Sequence, residues 1–180
     1  MNCNKGFTEG LNLVKKLIII NGTMGVGKTA TSRELNKKLN NSVWLDGDWC
    51  WMMNPFTVND ENKDMVIKNI TYLLRNFLIN SSFEYVIFNW VIHYEDIFNL
   101  LLQPLSDLEF EVIKVTLICS GETLKETILN DVKLNLRDDE ELSTILERLE
   151  LYKNMNTVKI DTTNISINET VDKIIKITCE

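Results

Sequence analysis

Leu17-Ile18-Ile19-Ile20-Asn21-Gly22-Thr23-Met24-Gly25-Val26-Gly27-Lys28-Thr29 is the stretch that decides the fold. From Gly22 onward it fits the pattern GxxxxGK[ST], and the apolar run before it predicts a fully buried β-strand. Lys28 to about Leu39 holds neither Gly nor Pro and predicts a helix directly behind the loop. Strand, glycine loop and helix in that order make a phosphate cradle. The glycines let successive backbone N–H groups converge on phosphate oxygens, and the helix adds the positive end of its dipole. Lys28 is expected to reach the β- and γ-phosphates as a point charge, and Thr29 to offer its hydroxyl to Mg²⁺. The expected cofactors are therefore ATP and Mg²⁺, bound by Gly22, Thr23, Met24, Gly25, Val26, Gly27, Lys28, Thr29 and Ala30. Composition alone produces such a pattern in on the order of one per cent of chains this long, and the flanking strand and helix lower that further. The competing reading is a plain glycine-rich turn.

The 180 residues suit one domain, 1–180, large enough for a real core. A net charge of -7 with scattered Lys and Arg argues against an electrostatic grip on nucleic acid, which needs a basic face. No apolar stretch approaches the roughly 20 residues that span a bilayer, and Leu17 to Ile20 is too short for a signal-peptide core. A cytoplasmic protein is expected, with a small molecule as partner; a homodimer is compatible with everything in the sequence. Cys3, Cys50, Cys119 and Cys179 form no CxxC pair and accompany a single histidine, His93, so neither a zinc site nor a disulfide framework is expected. They read as thiols, mostly buried.

Downstream of a polar leader, Met1 to Asn12, and the loop helix, the strands expected are Ser42–Asp46, Glu84–Asn89, Phe110–Ile118 and Thr157–Asp161. Helices are expected over Asp60–Ile79, Tyr94–Leu102, Ser120 to about Leu134, Leu142–Tyr152 and a last one opened by Ser166 and Glu169. Thr57 with Asp60 resembles a capping box for the first of these, whose inner face is Val66, Ile70, Leu73, Leu74 and Phe77. The last helix turns Val171, Ile174 and Ile175 inward. Pro55 argues against one long helix through Trp49 to Phe56. The charged run Asn135 to Glu141 breaks the fourth helical region from the fifth. Five short apolar strands alternating with helices specify an α/β class, a three-layer α/β/α domain around a parallel sheet. Ligands of such sheets bind outside the carboxyl ends of the strands, so the residues just after each strand are the site candidates.

Asp46 and Asp48 follow the second strand, where a carboxylate faces the terminal phosphate. Phosphoryl transfer asks little covalent work of a protein beyond Mg²⁺, positive charge and a carboxylate that orients and deprotonates the attacking hydroxyl. Asp48 is assigned as base and Asp46 as ligand of a Mg²⁺-bound water; the exchanged roles, or Asp46 as a simple turn cap, stay open. Trp49, Trp51, Met52, Met53 and Phe56, with Trp90 and Tyr94, are candidates for an apolar acceptor pocket, against the plainer reading of core filling. His93 is an ordinary polar residue or an acceptor-binding group. Arg137 lies where a mobile lid, about residues 130–150, would carry it onto the phosphates; a surface ion pair with Asp138 or Glu141 is its alternative. Arg148 faces the same choice, and Arg33 is expected to face solvent.

The loop together with Val43-Trp44-Leu45-Asp46-Gly47-Asp48 resembles the small P-loop kinases, the adenylate, shikimate and gluconate kinase group. Within it, the acid after strand two followed by an apolar stretch and Asn54-Pro55 is similar to chloramphenicol phosphotransferase, whose catalytic Asp would fall on Asp48. A looser similarity extends to the tunicamycin-resistance ATP-binding proteins. The resemblance covers about residues 16 to 178 and implies strand order 2-3-1-4-5, a lid near Arg137, and adenine held partly by Asp161-Thr162-Thr163. One departure matters: the third strand ends Phe88-Asn89-Trp90, where many P-loop proteins place a Walker-B Asp, so Asp46 is left to supply that carboxylate. The lid also lacks the dense arginines of adenylate kinase, which leaves an uncharged alcohol as open an acceptor as a nucleotide.

These residues lead to an ATP-dependent phosphotransferase that moves the γ-phosphate to a hydroxyl of a nucleoside, nucleotide, sugar or antibiotic. The rival is an ATP-binding resistance protein that sequesters a small molecule with little catalysis. A dinucleotide-dependent oxidoreductase is a weaker third, because the loop reads GxxGxG rather than GxGxxG and gives Lys28-Thr29 nothing to do.

Overall fold

The computed structural model describes residues 14–134 and 142–179. Its elements are β1 (Lys15–Asn21), α1 (Lys28–Lys38), β2 (Ser42–Asp46), α2 (Asp60–Ile79), β3 (Tyr85–Trp90), α3 (Glu95–Leu102), β4 (Phe110–Ile118), α4 (Gly121–Lys133), α5 (Leu142–Lys153), β5 (Val158–Asp161) and α6 (Ile167–Cys179). Short 3-10 turns at Gly47–Trp51 and Gln103–Leu105 join β2 to α2 and close α3. The strands form one parallel sheet in the order β2-β3-β1-β4-β5, the order expected.

β1 is the middle strand, and its residues explain why. Leu17, Ile18, Ile19 and Ile20 are all fully buried. Alternation along the strand sends Ile18 and Ile20 into a core with Leu35 of α1, Leu124 and Ile128 of α4, and Val171 and Ile174 of α6. Leu17 and Ile19 enter a second core with Val66, Ile70 and Leu74 of α2 and Phe98 and Leu101 of α3. A strand covered on both faces has no polar side to show, which is why it reads as a continuous apolar run. Each such side chain contributes about 1.5–3 kcal/mol by leaving water. α5 serves both layers: Ile145 and Leu149 belong to the first core, and Tyr152, with Met155 just past the helix, to the second.

Helix starts follow local hydrogen bonding. Ser166 and Glu169 form the expected capping box, with Ser166 N–H donating to Glu169 Oε2 at 2.7 Å and Glu169 N–H to Ser166 Oγ at 3.2 Å. Ser120 caps α4, accepting from Thr123 N–H at 3.1 Å. The box expected between Thr57 and Asp60 is not made. Asn59 caps α2 instead, its Oδ1 accepting from Asn62 N–H at 2.8 Å, while the Thr57 hydroxyl donates to the Pro55 carbonyl at 3.3 Å. Asn is as good a cap as Thr, and from position 59 it leaves both Asp60 and Glu61 in the first turn, where the dipole favours them.

The expectation of mostly buried thiols is also corrected: Cys119 is buried, Cys50 half-buried, and Cys179, at the outer end of α6, exposed. The whole leader, Cys3 included, lies outside the described residues, as does the charged break with Arg137. Among the described residues no helix is long and apolar enough to cross a membrane.

Candidate active site

The loop between β1 and α1 is shaped by its glycines, which take φ of 145° at Gly22, 80° at Gly25 and 95° at Gly27. Gly22 is fixed twice over. Its φ is one that side chains rarely adopt, and a Cβ there would stand 2.6 Å from the carbonyl oxygen of Leu117 in β4. At Gly27, the residue before α1, an added Cβ meets nothing within 4 Å, so this flank of the loop opens outward. The Lys28 ammonium folds back across the loop and donates to the Thr23 carbonyl at 2.9 Å.

Thr29, on the first turn of α1, donates its hydroxyl to Asp46 Oδ2 at 2.9 Å. Asp46 is only 3 % exposed, and its other oxygen accepts from Asp48 N–H at 3.1 Å, capping the turn that follows β2. The turn cap, the alternative reading of Asp46, is thus made, and the same carboxylate also meets Thr29. Among the described residues Lys28 and Asp46 are the only buried charged side chains. Burying charge is costly unless partners compensate, and both of these charges lie at the loop. No group of three or more His, Cys, Asp or Glu among the described residues could hold a metal by itself. Thr29 and Asp46 nevertheless suit Mg²⁺, which takes one or two protein ligands and completes its shell with water and phosphate.

The sheet register explains what stands at the Walker-B position. Asn89 pairs with Ile20 on one side and with Asp46 on the other. It is 1 % exposed, and its Oδ1 accepts from Trp44 Nε1 at 2.6 Å. A neutral amide thus occupies the end of β3, and the nearest buried carboxylate is the one beside it on β2.

Asp48 is exposed two residues past Asp46, and its backbone N–H donates to the Asp46 carboxylate. Gly47 between them permits a close approach: a Cβ would lie 2.5 Å from Trp90 Cγ. Thr162, after β5, donates both its N–H and its hydroxyl to the Ile118 carbonyl, at 2.8 and 3.1 Å. Asp161 accepts from the Thr163 hydroxyl and N–H, which holds its carboxyl below the usual range. Arg137 lies outside the described residues. Arg33 is exposed, as expected.

The apolar acceptor set is divided. Trp49, Cys50 and Met52 meet Asn69, Tyr72 and Leu73 of α2 around a shallow groove of about 350 Å³. Trp51 turns to Phe56, ring centroids 5.8 Å apart, while Trp90 lies across Gly47 and against Phe88 and so fills core. Asn69 and Tyr72 were not singled out from sequence; their only signal is i, i+3 spacing on the outer face of α2. Tyr94 packs on His93 at 4.4 Å. Burial, and then the charge of Arg148, push the His93 imidazole below its ordinary pKa, which favours the neutral ring.

A family model described as AAA domain matches residues 18–146. No curated protein matches the chain. Among solved structures, the Deinococcus radiodurans tunicamycin resistance protein is similar at 20% identity and TM-score 0.68, over 91% of this chain and 95% of that one. A gluconokinase from Sinorhizobium meliloti 1021 is similar at 15% identity and TM-score 0.64, over 91% of each chain. The Mycobacterium tuberculosis APS kinase, solved with AMPPNP and APS, is similar at 11% identity and TM-score 0.65, over 93% of this chain and 99% of that one. At these identities the likeness is one of fold, and the fold is that of the P-loop small-molecule kinases.

Proposed function

The chain belongs to the AAA domain family, and on that footing we propose that it moves the γ-phosphate of ATP to a hydroxyl of a small molecule, with Mg²⁺ as cofactor, in the cytoplasm. The observation that carries this reading is the placement of the buried charges: Lys28 and Asp46, the only two among the described residues, both at the loop.

The amides of Gly22 to Ala30 wrap the triphosphate, and Lys28 gives up the Thr23 carbonyl to meet the β- and γ-phosphates. Thr29, and Asp46 through water, would hold a Mg²⁺ ion, which would supply neutralising charge at those phosphates. Asp48 orients the acceptor hydroxyl and takes its proton as the acceptor oxygen bonds the γ-phosphorus. The bond to the β–γ bridging oxygen breaks, and its electron pair leaves with ADP. Thr162 is assigned to the adenine end, and Arg137, from sequence position alone, to the transferring phosphate. Trp49 and Met52 border the acceptor.

A second reading, an ATP-binding protein that sequesters a small molecule with little catalysis, is favoured by one observation. The Walker-B position carries a neutral Asn89, held by Trp44 rather than free to serve as a carboxylate. Incubating the protein with ATP, Mg²⁺ and a panel of hydroxyl compounds separates the two. ADP together with a phosphorylated product supports transfer, and retention of a compound with ATP but without product supports sequestration.

A further inference from the structure

Asn89 is held by one half of its amide only. Trp44 Nε1 donates to its Oδ1 at 2.6 Å. An indole N–H can only donate, so the atom it meets must be the amide oxygen, and the NH2 group points elsewhere. Among the described residues Nδ2 makes no hydrogen bond. The fully buried side-chain atoms without a partner are Ser32 Oγ, His93 Nδ1 and Tyr152 Oη. Nδ2 is not one of them, although Asn89 as a whole is 1 % exposed. The side chain is thus enclosed, yet its NH2 group keeps an opening to solvent. Polar groups this deep in a folded protein are almost always paired, so a donor held open asks for a partner from outside the chain.

The sheet places that donor. Trp44 pairs with Ile87, and both pack in the core that holds Leu35 of α1. Alternation turns Asn89, two residues beyond Ile87, to the same face, at the carboxyl end of β3. Its neighbours in register are Ile20, two residues ahead of Gly22, and Asp46, whose carboxylate touches Thr29 on the first turn of α1. Ligands of parallel sheets bind outside this end of the strands. A carboxylate at position 89 would stand beside Asp46, like charge against like charge, and would repel phosphate as well. The amide removes that repulsion and reverses the polarity. Where a carboxylate accepts from a metal-bound water, an NH2 group donates to an anionic oxygen.

We propose that Asn89 is a phosphate-binding residue whose NH2 group donates to an oxygen of the terminal phosphate of ATP, and that Trp44 is the positioning residue that turns it there. This rests on the ATP-binding half of the proposed function. The test is calorimetry with ADP and with the β,γ-imido analogue of ATP, first in EDTA and then with Mg²⁺. Only the analogue carries the phosphate in question, so ADP reports on the rest of the loop. In EDTA, Asn89→Ala should weaken the analogue by about tenfold and leave ADP unchanged, because bonds to a charged oxygen are the strong ones. Asn89→Asp keeps an acceptor for the Trp44 N–H and sets a negative charge in place of the donor. It should weaken the analogue more than Asn89→Ala does in EDTA and regain part of the loss with Mg²⁺. Trp44→Phe, which frees the amide to turn, should weaken the analogue by a smaller factor and again spare ADP. Equal weakening of both nucleotides, or an analogue bound as tightly by the Asn89 variants as by the wild type, overturns the donor role. An analogue unaffected in Trp44→Phe overturns the part given to Trp44. Should Asn89→Ala fail to fold, Asn89→Asp decides. If neither nucleotide binds the wild-type chain, the proposed function falls together with this inference; if both bind and the variants keep the wild-type preference, only the role of Asn89 falls.

Discussion

Thr29 and Asp46 join the first turn of α1 to the last residue of β2 through a 2.9 Å hydrogen bond. The two residues lie 17 positions apart and come from consecutive elements that both follow the loop. Their contact holds the Asp46 carboxylate against the first turn of the helix that follows the loop.

Asp46→Ala removes the acceptor for both the Thr29 hydroxyl and the Asp48 N–H. Loss of a cap and a buried acceptor should lower stability by about 1–3 kcal/mol. Urea denaturation measures that cost. ATP titration with and without Mg²⁺ should show that the variant has lost the metal's contribution to binding.

Lys28→Ala removes the buried ammonium at the loop. ATP retention should fall by about tenfold or more, because charge-assisted bonds to phosphate are the strong ones. Binding of unchanged tightness, measured by calorimetry, would contradict the role given to the loop.

Asp48→Asn keeps shape and removes the proton acceptor. Turnover should fall by about a hundredfold or more while ATP affinity holds. With an acceptor in hand, equal turnover would return the base to Asp46.

Gly47→Ala would set a Cβ 2.5 Å from Trp90 Cγ. The indole must move, and overpacking of this kind costs about 1–3 kcal/mol. A lower melting temperature is expected, and an unchanged one would mean that Trp90 has room to turn.

His93 is held below its ordinary pKa in the folded chain, first by burial and then by Arg148. The unfolded chain, titrating near its ordinary value of about 6.5, binds that proton more readily. This contribution to stability is therefore present above about pH 6.5 and is lost as pH falls through the folded value. Arg148→Gln should raise the His93 pKa only partway, since burial is the larger cause. An NMR titration of the single imidazole reads both.

The loop was legible because its demands are local: three left-handed glycines, a lysine and a hydroxyl within one short window. The strands of the sheet were legible because burial on both faces leaves continuous apolar runs such as Leu17 to Ile20. The α2 cap was misplaced from Asn59 to Thr57 because neighbouring polar residues compete for a helix start on nearly equal terms. Asn69 and Tyr72 escaped notice because, along a helix, a groove wall and an ordinary wet face share one pattern. The tie between Ile92 and Met155 depends on Asn21, whose amide reaches two distant segments at once. Nothing in its place at the end of a strand announces that reach.

Trp44 gives its indole N–H to Asn89 beside Asp46, and its ring stands 5.0 Å from Trp49, which borders the groove. One chromophore thus touches the buried Asn89 on one flank and the wall of the groove on the other. Its ultraviolet emission should answer to whatever fills either side, so an unmodified sample carries its own gauge of occupancy.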